Sequence, residues 1–97
     1  MMDLFAIHRR RLCDPTELAE VDRRSQAELD RRSDEVRKIR SYVLDDEDGT
    51  VGTICLYEAT GTDAIHAHAR AADLPVTTID RISTIDVHRP DPATLTS

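Results

Sequence analysis

Residues 36–75, VRKIRSYVLDDEDGTVGTICLYEATGTDAIHAHARAADLP, decide the fold. They read as a strand, a tight turn, a second strand and a capped helix closed by a proline. Val36–Asp45 alternates, with Ile39, Ser41 and Val43 on one side and Arg40, Tyr42 and Leu44 on the other. Asp46-Glu47-Asp48-Gly49 is the turn, where Gly49 supplies the positive φ that a hairpin needs. Thr50–Glu58 carries Ile54 and Leu56 on one face and Cys55 and Tyr57 on the other. Neither face is polar before Glu58, so this strand belongs in the centre of a sheet. Thr60-Gly61-Thr62-Asp63 then opens a short helix with Thr60 as its cap. Ile65, His68, Ala69 and Ala72 form the inward stripe, and Leu74-Pro75 ends it.

The flanks complete the pattern. Residues 3–8, DLFAIH, suit a buried first strand that ends at His8. Asp14-Pro15-Thr16-Glu17 is a helix start, with Asp14 as cap, Pro15 at the first helical position and Glu17 able to reach back. The helix is expected from Pro15 to about Asp34, with a narrow stripe of Leu18, Val21, Ser25 and Leu29. A stripe this thin needs a sheet to lie on. Thr77–Val87 reads as a last strand, its apolar members being Ile79, Ile82, Ile85 and Val87. The change of spacing from three to two marks a bulge or an edge. From Arg89 the chain reads as a flexible tail, 89–97.

The order is βαββαβ. Right-handed crossovers give a ferredoxin-like α+β sandwich, a four-stranded antiparallel sheet with two helices on one face. The expected ladder is fourth, first, third, second strand. One domain spans 1–97, with its ordered core at about 3–88. The central strands are apolar on both sides, yet two helices roof only one. The open face calls for a partner, and a second copy of the chain is the simplest one.

Composition narrows the function. A net charge of −6 argues against nucleic acid and anionic membranes as partners. No apolar run approaches the ~20 residues that span a bilayer, and Met1–Ile7 is too short for a secretion signal. A cytoplasmic protein is expected. Cys13 and Cys55 belong to no paired metal or disulfide motif.

The segments FAIH, VRKIRSYVLDD, ICLYEA and HARAADLP, in this order, resemble the domain-of-unknown-function family 4242 over roughly residues 3–88. One branch of that family is described as nickel-binding. The resemblance implies a dimeric ferredoxin-like protein binding nickel or a similar divalent transition metal, for storage, buffering or sensing. It brings no established reaction.

Four residues are candidate ligands: His8, Cys55, Glu58 and His68. Imidazole and thiolate suit nickel and zinc, and a carboxylate can complete such a set. Each has a plain alternative. His8 is a half-exposed strand residue, Cys55 a small buried one, Glu58 a helix cap and His68 a hydrogen-bonded core histidine. His66 and His68 point about 200° apart on a helix and cannot chelate one ion. Cys13 lies beside three arginines and a helix start, which favours thiolate, while Asp14 opposes it. The run His8-Arg9-Arg10-Arg11 reads as a solvated rim. No catalytic triad or phosphate-binding loop is present in the sequence. The alternative is a small-molecule binder or cofactor-free enzyme using the cleft between sheet and helices, with Tyr57, His68 and Arg40 as its polar groups.

Overall fold

The computed structural model describes residues 1–92. Its elements are β1 (Asp3–Cys13), α1 (Leu18–Arg31), β2 (Val36–Asp45), β3 (Val51–Ala59), α2 (Thr62–Ala71) and β4 (Thr78–Ile82). The sheet order is β2-β3-β1-β4 with all three pairings antiparallel, the ladder expected of the ferredoxin-like order. Both helices cover the same face. Leu29 of α1 and Ile65 of α2 pack with Phe5, Ile7, Cys55 and Tyr57 in one buried cluster. Val21, Ala69, Ala72 and Leu74 form a second cluster where the helices meet. The stripe on α1 is as read, with Val21, Ser25 and Leu29 all buried. No helix among the described residues is long and apolar enough to cross a membrane.

Several boundaries differ from the sequence reading. β1 continues five residues past His8, so His8 sits in mid-strand, opposite Ile54 and Thr78. The same extension puts Arg9 in phase with Phe5 and Ile7, and Arg9 is 1% exposed under the helices. Only Arg10 and Arg11 form the solvated rim. The first helix opens with a 3-10 turn at Pro15–Glu17, where Asp14 and Glu17 make the expected capping box. α2 is capped by Gly61 and not by Thr60.

Two irregularities shape the sheet. Between Arg9 and Cys13 the β1–β3 register slips, with Arg11 at φ 47°. Asp46, in the β2–β3 turn, accepts from the Arg11 backbone N–H at 2.7 Å and from Glu47 N–H at 2.8 Å. Those two bonds hold its carboxyl below the usual range. In β2 the register slips between Lys38 and Arg40. Ile39 is the extra residue, and it joins Arg40 and Tyr42 on the open face instead of siding with Ser41.

The chain after β4 departs furthest from expectation. Strand pairing stops at Ile82, leaving Ile85 and Val87 59% and 69% exposed. Residues 83–92 cross the open face as an irregular strap. Arg89, Pro90 and Asp91, read as the start of a loose tail, lie against the sheet. The remainder of that tail, 93–97, lies outside the described residues.

Gly52 marks where the β1 bulge and the β2–β3 turn touch. A Cβ there would stand 2.8 Å from the Arg9 carbonyl oxygen and 2.9 Å from Asp46 Oδ2. Gly61 has extended backbone and nothing within 4 Å. Gly52→Ala is therefore expected to lower unfolding free energy by about 1–3 kcal/mol, and Gly61→Ala to leave it within ~0.5 kcal/mol. Urea denaturation of the two variants checks this.

Candidate functional site

The four candidate ligands divide between the two faces of the sheet. Cys55 and His68 lie under the helices, 4% and 0% exposed. His8 and Glu58 are half-buried on the open face. On that face His8 is opposite Ile54, four residues along β3 from Glu58, a separation of about 13 Å at ~3.3 Å per residue. Among the described residues no three His, Cys, Asp or Glu side chains come close enough to hold an ion. A single chain therefore does not assemble these residues into one metal site.

Under the helices most of the polar groups bond to one another. Arg9 Nη1 donates to the Pro75 carbonyl at 2.8 Å, and Nη2 to the Tyr57 hydroxyl at 3.3 Å. The Tyr57 and His68 rings meet edge to face, with centroids 5.7 Å apart and planes at 89°. His68 Nε2 lies 3.1 Å from the Ser25 carbonyl, to which it donates as the protonated nitrogen of a neutral ring. Its Nδ1 is buried without a partner among the described residues. Ser41 Oγ donates to Cys55 Sγ at 3.1 Å. The remaining gap beside Arg9, Ser25, Cys55 and Tyr57 is about 10 Å³, about enough for one water. Arg40 is on the far side of the sheet, so it does not converge with Tyr57 and His68. The cleft expected for a small molecule is filled by side chains.

Electrostatics agree with a structural role for this layer. Burial depresses the His68 pKa, and the positive charges of Arg9, Lys38 and Arg32 push it further the same way. Burial, with the nearby Cys55, raises the Tyr57 hydroxyl, so it stays protonated at neutral pH. Cys13 packs at the edge of the second cluster. Burial and the carboxylates of Glu17, Asp14 and Asp22 raise its pKa, so the opposing effect read for Asp14 prevails and the thiol stays protonated at neutral pH. His66 is exposed, and His88 lies 3.2 Å from Asp86 at the surface.

The open face holds the larger cavity, about 500 Å³ between sheet and strap. Leu4, Leu56 and Ile82 form its floor, Ile39 one side, and Ile85 and Val87 its roof. At one end Arg40 Nη1 and the Tyr42 hydroxyl both donate to Asp91 Oδ2, at 2.7 and 2.9 Å. The Tyr42 and Arg40 bonds hold the Asp91 carboxyl below its ordinary range. The sequence offered no sign of this contact, which joins residues 51 apart. Arg9 was more accessible to reading, since it continues the Phe5, Ile7 alternation.

His68 makes stability depend on pH. Its native pKa is depressed, so below about pH 6.5 the unfolded chain binds a proton that the folded chain does not. The contribution is complete above that value and is lost as pH falls toward the native pKa. Calorimetric melting from about pH 7.5 down to about pH 5.5 should show a falling Tm in the wild type. In His68→Leu, lower at every pH, the slope over this range should flatten.

A search of curated proteins finds no match. The crystal structure of SCO4226 from Streptomyces coelicolor A3(2) is similar, with a TM-score of 0.67 and 16% identity, covering 86% of this chain and 99% of that one. At that identity the likeness is one of fold. The profile of the family described as nickel responsive protein SCO4226-like matches residues 2–82, which contain every strand and helix and leave out the strap. The chain belongs to the SCO4226-like family of nickel responsive proteins.

Proposed function

We propose that this protein binds nickel, or a similar divalent transition metal, as a homodimer, and serves to store, buffer or sense that metal. Membership of a nickel responsive family carries the reading. The geometry gives it a form. The candidate ligands of one chain stand too far apart to share an ion, so the coordination shell draws on two copies of the chain. His8 is the anchor. It is the only histidine on the open face of a central strand, and it lies outside the part of that face bounded by the strap cavity. Self-association through the sheet around His8 and Ile54 would bury that apolar surface and bring a second set of side chains to the imidazole. Glu58, on the same face, is a further oxygen donor for an ion shared between copies. Cys55 and His68 belong to the packed layer under the helices and stand apart from this site.

The test is calorimetric titration of untagged protein with nickel, with sedimentation velocity on the same samples. Binding at a fixed ratio of metal to chain is expected, with nickel favouring the dimer. His8→Ala should weaken binding at least tenfold, about 1.4 kcal/mol or more. His68→Ala should lower Tm and leave nickel affinity unchanged. Affinity no better than that of an unrelated protein with four histidines would refute the metal reading.

A further inference from the structure

We infer that the cavity between the sheet and the C-terminal strap is a binding site for an apolar monocarboxylate, such as a medium-chain fatty acid, whose head group takes the place of Asp91 on Arg40 and Tyr42. The chain itself shows what that end of the cavity recognises. One carboxylate oxygen receives two donors there, at 2.7 and 2.9 Å, one of them charged. Arg89 and Asp86 also line the cavity, Arg89 with no ion-pair partner among the described residues and Asp86 3.2 Å from His88, so an incoming carboxylate finds its paired donors at Arg40 and Tyr42.

The rest of the space calls for hydrocarbon. Its floor of Leu4, Leu56 and Ile82 belongs to an otherwise packed sheet, but the strap above does not fill the gap. Ile85 and Val87 remain largely exposed even though they line the roof. The strap is held at one end by β4 and at the other by the Asp91 contact, and it arches between them. A volume of about 500 Å³, mostly apolar with convergent polar groups at one end, has the dimensions of a small-molecule site. An alkyl chain entering it would cover both the floor and the roof. The strap lies beyond residues 2–82, the span that the family profile matches. It contains none of the proposed metal ligands, and it stands or falls separately from the nickel reading.

Asp91 acts as a tethered competitor for the ligand, and this makes the site testable. Octanoate would be titrated into the wild type by calorimetry, with 1-octanol and octylammonium as controls. A 1:1 complex is expected with Kd on the order of 0.1–1 mM, suited to a ligand of about ten heavy atoms. The alcohol and the amine should bind about tenfold more weakly or worse. Asp91→Asn should tighten octanoate by about tenfold, because the competitor is gone. Arg40→Gln should weaken octanoate by a similar factor and leave octanol unchanged, and Tyr42→Phe should act the same way to a smaller extent. Circular dichroism would confirm that each variant is folded. The proposal would be overturned by no octanoate binding by either wild type or Asp91→Asn, by equal binding of acid and alcohol, or by indifference to both Arg40→Gln and Tyr42→Phe. If Asp91→Asn dimerises in sedimentation velocity without taking up octanoate, the occupant of this surface is a second copy and the proposal also fails.

Discussion

A sheet with two apolar faces, and only enough helix to roof one of them, governs this molecule. β1 and β3 pair at its centre, each with side chains that need cover on both sides. α1 and α2 meet that need on one side, burying Phe5, Ile7, Cys55 and Tyr57. On the other side, among the described residues, Leu4, Leu56 and Ile82 have only the strap above them, with a cavity in between. Hydrophobic burial on the first face stabilises the fold. The unfinished burial on the second leaves surface for a ligand or a partner.

The roofed side also shows how a short chain accommodates a buried charge. Arg9 has no carboxylate within ion-pair distance among the described residues. Its guanidinium instead bonds to the Pro75 carbonyl and the Tyr57 hydroxyl, tying β1 to the segment that follows α2 and to β3. Such a charge is tolerable only if its donors are satisfied. Burial first, and then the repulsion of this charge, keep His68 neutral, bonded to Ser25. The polar groups that would attract attention as a catalytic or metal cluster are thus engaged in holding the two layers together.

Elements with strong local signals were legible without the structure. The Asp14–Glu17 capping box, the α1 stripe, the Gly49 turn and the Ile54–Tyr57 apolar run of β3 each depend on contacts within a few residues, or on simple periodicity. Together with the handedness rule they are enough for the strand order. Ends and faces were less legible. β1 runs past His8 because pairing with β3, not local composition, decides where a strand stops. Ile39 changes sides because a bulge in the β2–β3 register resets the alternation, and nothing in VRKIRSYV announces it.

The candidate site divides in the same way. Residue chemistry and the family resemblance selected His8, Cys55, Glu58 and His68, but a side chain's usefulness depends on which face of the sheet it occupies. His68 was readable as an inward position from the helical period. Asp91 was not readable at all, since its meeting with Arg40 and Tyr42 joins the chain end to β2 across the whole sheet. The amino-acid order alone determined the βαββαβ fold and the shortage of cover on one face, because propensity, capping and periodicity are short-range. Only the tertiary structure decided that Arg9 is interior, that the four donors are split, and that the last residues arch over a cavity, because those outcomes depend on strand register and on contacts between residues far apart in the chain.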